Sequence, residues 1–239
     1  MTRLLVSVRS ADEALDAVSA GADLIDIKEP NRGSLGAAAA EVVAAAIDAV
    51  ADRRPTSVAL GELTDPVAAW PAIAKFLRPQ QLPQFAKFGL AGCALEPNWP
   101  DRWSAARGTL PAAVAAVAVV YADWQVAKSP EPESVLHYAE RLRCRAVLID
   151  TFDKHGPGLL ALWSFDLLAR FVTAARGAGM LVVLGGQIRA EQFESFLPLA
   201  PDFIAVRGAA CCGDRAGRLD PRRVERLRGL LPAVQLAQT

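Results

Sequence analysis

Residues Ala22 to Gly36 read ADLIDIKEPNRGSLG. From Leu24 to Lys28 the segment has the two-residue period of a strand: Asp26 and Lys28 share one face, and Ile25 and Ile27 take the other. A carboxylate and an amine therefore point together where a strand opens into a loop of Pro, Asn and Gly. Strand ends of this kind carry the chemistry of α/β proteins. That makes Asp26 and Lys28 the leading site candidates, against the alternative of an ion pair that merely plugs a barrel mouth.

Working outward, strand patterns fall at Leu4 to Val8, Thr56 to Gly61, Gln84 to Leu90, Ala113 to Tyr121, Ala146 to Thr151, Met180 to Leu184 and Phe203 to Val206. Helical segments alternate with them at about 11–20, 37–52, 66–77, 99–107, 132–142, 165–176, 190–196 and 221–230. Ser10 with Glu13 has capping-box spacing, and Asp65 followed by Pro66 reads as an N-cap and first helical position. The run from Ala113 to Tyr121 is continuous and apolar, as a strand buried on both faces should be. Eight strand and helix units of about thirty residues predict an α/β fold, a single-domain (β/α)8 TIM barrel spanning residues 1–239. A doubly wound open sheet is the alternative. It usually shows a glycine-rich loop after its first strand, where this chain has Arg9, Ser10 and Ala11.

The chain is 52% hydrophobic with a formal net charge of zero, which argues against a disordered tail or a generic nucleic-acid binder. His137 and His155 lie far apart, and Cys93, Cys144, Cys211 and Cys212 lack zinc-ligand spacing, so no metal site is expected. Reduced cysteines, a start without a signal-peptide pattern and no membrane-length apolar run predict a cytoplasmic protein with no membrane partner.

One bias in composition is informative. The chain holds five lysines, at 28, 75, 87, 128 and 154, so the remaining 21 of its 26 basic residues are arginine. Where charge alone suffices this chain supplies arginine, whereas only an amine can deprotonate and attack a carbonyl. In a barrel, Lys28, Lys87 and Lys154 all fall at the C-terminal mouth on even-numbered strands. Crowded ammonium groups in a partly desolvated mouth favour one lowered pKa, with Asp26 and Asp150 orienting the amines and moving protons. A structural ion-pair network is the plain alternative. Across the mouth, Gly185, Gly186, Arg207 and Gly208 end strands seven and eight, where barrels often hold phosphate, and Ser34 with its neighbouring glycines offers a second anion site. Lys75 and Lys128 read as solvated and His137 as structural, while Glu62 and His155 are secondary candidates.

The segments DLIDIKEPNRGSLG, FAKFGL, LIDTFDKHGPGLL, the double glycine at 185 and 186, and FIAVRGAAC together resemble the (5-formylfuran-3-yl)methyl phosphate synthase family, in order and over nearly the whole chain. The resemblance implies a TIM barrel joining two glyceraldehyde 3-phosphate molecules into 4-(hydroxymethyl)-2-furancarboxaldehyde phosphate, with release of phosphate and water, for methanofuran-type cofactors. It further implies Lys28 as the Schiff-base lysine, Lys87 and Lys154 as assisting lysines, Asp26 and Asp150 as the carboxylates, and no cofactor. A metal-independent Schiff-base aldolase for another sugar phosphate would need the same residues. A phospho-ligand sensor would not need a lysine at position 28. The expected partners are small triose phosphates, and homo-oligomer formation stays open.

Overall fold

The computed structural model describes residues 1–65, 70–78 and 80–232. Eight parallel strands close in sequence order: β1 (Arg3–Val8), β2 (Leu24–Ile27), β3 (Thr56–Glu62), β4 (Phe85–Gly89), β5 (Ala115–Tyr121), β6 (Ala146–Asp150), β7 (Leu181–Leu184) and β8 (Phe203–Val206). Pairing of Arg3 with Phe203 and of Val6 with Val206 joins β8 back to β1, so no sheet edge is left. The fold is an α/β (β/α)8 barrel, as the strand spacing predicts.

The helices are α1 (Ala11–Ser19), α2 (Ala40–Val50), α3 (Trp70–Ala74), α4 (Trp99–Gly108), α5 (Trp124–Ala127), α6 (Pro132–Arg141), α7 (Leu159–Leu162), α8 (Phe165–Gly177), α9 (Phe193–Phe196) and α10 (Pro221–Gly229). The single turns α5 and α7 depart from the expected eight helices. Four residues are too few to display a helical period in sequence. The segment at 190–196 divides into a 3-10 turn, Ala190–Gln192, and α9. The expected helix start at Pro66 lies outside the described residues. Among the described residues, no helix is long and apolar enough to cross a membrane.

Strand alternation divides the apolar side chains into two cores. Leu4, Val6, Ile25, Ile27, Val58 and Ile149 point outward and pack with helical residues such as Val43, Trp103 and Phe193. Leu5, Leu24, Ala59, Val117, Leu148 and Phe203 point inward and fill the barrel floor. Each large side chain so buried contributes about 1.5–3 kcal/mol. Above that floor, the same inward positions carry Ser7, Asp26, Lys87 and Asp150. The apolar layer thus forms a dry base for a polar mouth.

The capping box forms only in part. Ser10 accepts from the Glu13 N–H at 3.2 Å, but the Glu13 carboxylate takes the N–H of Arg9 at 3.0 Å and reaches across to Arg207. In the loop after β2, the Glu29 N–H donates to the Gly36 carbonyl at 2.9 Å. A Cβ at Gly36 would lie 2.3 Å from the Glu29 oxygen and 2.7 Å from the Arg32 Cβ, inside van der Waals contact. Gly36→Ala should therefore destabilise the protein by about 1–3 kcal/mol, read as a lower urea midpoint. An unchanged midpoint would mean that this loop yields without cost.

Candidate active site

A cavity of about 610 Å³ opens at the C-terminal end of the barrel. Asp26, Lys28, Lys87, Asp150 and Lys154 all line it, so three strands and the loops after β2 and β6 converge on a common space. Lys87, 3% exposed at its side chain, forms an ion pair with Asp26 and donates to Ser57 Oγ at 3.3 Å. Asp26 also accepts from Ser7 Oγ at 3.0 Å. Lys154 Nζ meets Asp150 Oδ1 at 2.7 Å, and the same oxygen accepts the Thr151 N–H at 2.8 Å.

Lys28 differs from both. It is buried, and among the described residues it makes no ion pair with a carboxylate; its Nζ donates only a long bond, 3.4 Å, to the Ser34 carbonyl. Burial lowers its pKa to about 8. Asp150 and Asp26 pull it upward, while Lys154 and Lys87 push it further down. Burial alone would raise both aspartates, but Lys87 and Lys28 outweigh it at Asp26, and Lys154 and Lys28 do so at Asp150, holding both below the usual range. The result is one amine able to shed its proton near neutrality between two ionised carboxylates.

The expected anion residues are placed unequally. Gly185, Gly186 and Gly208 line the cavity. The Gly185 N–H is already committed to the Ile149 carbonyl at 2.8 Å. Gly186 has φ +92°, and a Cβ there would lie 3.0 Å from Thr151 Cγ2, so glycine is required where β7 meets the β6 loop. Ser34 is fully buried and absent from the cavity wall; its hydroxyl faces Asp150 Oδ2 at 3.2 Å and the Thr151 carbonyl at 2.9 Å. Arg207 reaches the wall with every N–H engaged. Its donors meet both oxygens of Glu13 and the carbonyls of Ser7 at 3.1 Å, Arg215 at 2.9 Å and Gly217 at 2.8 Å. A guanidinium has five N–H donors, so none is left for an anion. The polar atoms of Ser34 and Arg207, which the sequence suggests for substrate phosphate, are engaged by these tertiary partners.

Lys75 and Lys128, read as solvated, and His137, read as structural, are exposed and lie off the cavity, whereas the secondary candidate His155 is on its rim. Glu62 lies off the lining; it accepts from Tyr121 Oη at 2.6 Å and the Ala91 N–H at 2.9 Å, and burial raises its pKa despite those bonds. Sequence reading missed Asp123 and Gln187. The Asp123 carboxylate takes the N–H groups of Phe152 and Asp153 at 2.7 and 2.8 Å. Gln187 Nε2 donates to the carbonyls of Gly156 and Asp153 at 3.1 and 3.2 Å. Together they brace the loop that carries Lys154. An aspartate just after an apolar strand, in YAD, was the available sign for Asp123.

Comparisons with known proteins agree with this architecture. The chain resembles phosphoribosyl anthranilate isomerase from Thermotoga maritima in structure, with a TM-score of 0.64 at 16% identity over 95% of this chain and 97% of that one. At that identity the likeness concerns the fold alone. In sequence it is 34% identical over 218 residues to the (5-formylfuran-3-yl)methyl phosphate synthase of Methanopyrus kandleri, covering 89% of this chain and 91% of the relative. It is 31% identical to the protein of the same name in Methanocaldococcus jannaschii, over 95% and 98% of the two chains. The family model described as 4-HFC-P synthase matches residues 4–228. With nearly the whole barrel matched, this chain belongs to the 4-HFC-P synthase family.

Proposed function

We propose that the protein condenses two molecules of glyceraldehyde 3-phosphate into 4-(hydroxymethyl)-2-furancarboxaldehyde phosphate through an imine at Lys28. The observation that carries this reading is the isolation of the Lys28 amine, which lacks the carboxylate partner that its two neighbouring lysines have. The free amine attacks a triose phosphate carbonyl and loses water to form an iminium. That cation withdraws electrons from the adjacent carbon, so a proton can leave; one triose phosphate is isomerised to the ketone form, and a carbanion then joins the two in an aldol-type step. Asp150 and Lys154, one hydrogen bond apart, hold and return protons on one side; Asp26 and Lys87 do so on the other. Elimination of phosphate, ring closure with loss of water and hydrolysis of the iminium, which returns the Lys28 amine, complete the furan. The main chain at Gly186 and Gly208 faces the substrate phosphates.

The test is to incubate the protein with glyceraldehyde 3-phosphate and follow inorganic phosphate together with ultraviolet absorbance of the furaldehyde. An open-chain sugar phosphate without phosphate release would instead make it an aldolase.

Protonation of Lys28 gives this reading a pH signature. With a pKa of about 8, the free amine falls about tenfold for each pH unit below that value. Cyanoborohydride trapping of the imine, followed by intact mass, should therefore rise from pH 6 to 8 and level off above. A profile flat across pH 8 would remove Lys28 as the titrating nucleophile.

A further inference from the structure

Arg215 stands in the loop after β8, half-buried on the cavity wall, and was not singled out from the sequence. Its Nη2 donates to the Gly33 carbonyl at 3.0 Å, across the mouth in the loop after β2. Among the described residues its side chain makes no other hydrogen bond and no ion pair. A guanidinium has five donors. One is used, so a charged fork remains open on the cavity lining, beside Gly208.

The loop is held in a way that fixes this fork. Arg207 Nε donates to the Arg215 carbonyl at 2.9 Å, and its Nη2 to the Gly217 carbonyl at 2.8 Å. Asp214 Oδ1 accepts the N–H groups of Ala216 and Gly217 at 2.8 and 3.2 Å. Glu13 anchors Arg207 from below and takes the Leu219 N–H at 3.2 Å. The arginine that looks like the anion ligand in sequence is thus a positioning residue, and the charge it positions is eight residues on.

We propose that Arg215 grips a phosphoryl group of the triose phosphate substrate, as a bidentate ligand set by the buried Glu13 and Arg207 pair. This rests on the reading of the cavity as a triose phosphate site. The plain alternative is that Arg215 only ties the loops after β2 and β8 together through Gly33. The two roles differ in whether they sense the phosphate of the substrate.

The experiment compares imine trapping at Lys28 by glyceraldehyde 3-phosphate and by unphosphorylated glyceraldehyde, in the wild-type protein, Arg215→Gln and Arg215→Lys. Arg215→Gln should cut trapping of the phosphorylated aldehyde by about 10- to 100-fold, the loss expected for a charged hydrogen bond, and leave glyceraldehyde nearly unchanged. Arg215→Lys should fall between, since it keeps charge without the fork. An equal drop for both aldehydes, or no drop for either, overturns the proposal. Calorimetric titration with inorganic phosphate tests the arginine without turnover. Binding by the wild-type protein that weakens by a similar factor in Arg215→Gln supports the grip; equal or absent binding in both overturns it. If the wild-type protein traps its substrate and discriminates phosphate through Arg215, yet yields no furan, the synthase reading fails while this inference stands.

Discussion

Lys28→Arg is expected to lower furan phosphate formation by roughly 10⁴-fold or more, the scale of losing a covalent nucleophile. Charge is preserved by this change, but a guanidinium stays protonated and forms no imine under these conditions. Lys28→Met serves as the uncharged control of similar length. Both variants should lose the reductively trapped adduct at position 28 while retaining the far-ultraviolet circular dichroism of the barrel. A variant that still releases phosphate from glyceraldehyde 3-phosphate at near wild-type rate would move the nucleophile to another residue. Lys87 and Lys154 would be next, although each is already held by a carboxylate.

Arg207→Met should be the most damaging change to stability, by about 3 kcal/mol, because it removes the buried counter-charge of Glu13 and leaves that carboxylate only the more exposed Arg9, whose Nε lies 3.5 Å away. The Arg207 and Glu13 side chains are only 4% and 5% exposed. Burial tends to raise the Glu13 carboxyl, but in the intact pair the bonds and charge of Arg207 outweigh it and hold the pKa below 4.5. The pair's contribution is therefore present above the unfolded pKa and lost as pH falls through the lower folded one. In Arg207→Met the folded pKa rises, because burial is then opposed only by Arg9 and the N–H groups of Arg9 and Leu219, and acidification neutralises the weakly paired carboxylate. Urea midpoints of variant and wild type should thus differ most near neutral pH and converge as pH falls toward 4.5. Adding Glu13→Gln to Arg207→Met should recover part of the loss. If the single variant unfolds at the wild-type midpoint, the pair is not what holds α1, β8 and the following loop together.

The barrel and its mouth were legible because strand positions repeat every two residues and chemistry-bearing side chains obey the same rule. Asp26 and Lys28 must share a face whatever the rest of the chain does, and Lys87 and Asp150 follow from placing FAKFGL and LIDTFDKHG on strands. The lysine bias added a chemical reason to look at those positions. Short turns such as α5 and α7 were not legible, since four residues carry no period.

What the sequence determined by itself was the list of inward-facing groups at each strand end, because that depends only on local backbone geometry. Which group pairs with which was decided by closure of the barrel. Ser34 meets Asp150 at a separation of 116 residues and Arg207 meets Glu13 at 194, distances at which no local pattern operates. Closure gives Lys87 its carboxylate partner across the barrel, whereas Lys154 takes Asp150 from four residues back, and among the described residues Lys28 is left without one. It consumes every donor of Arg207 and leaves Arg215 open. Reactivity and anion binding depend on unsatisfied charge, and satisfaction is a property of three-dimensional neighbours.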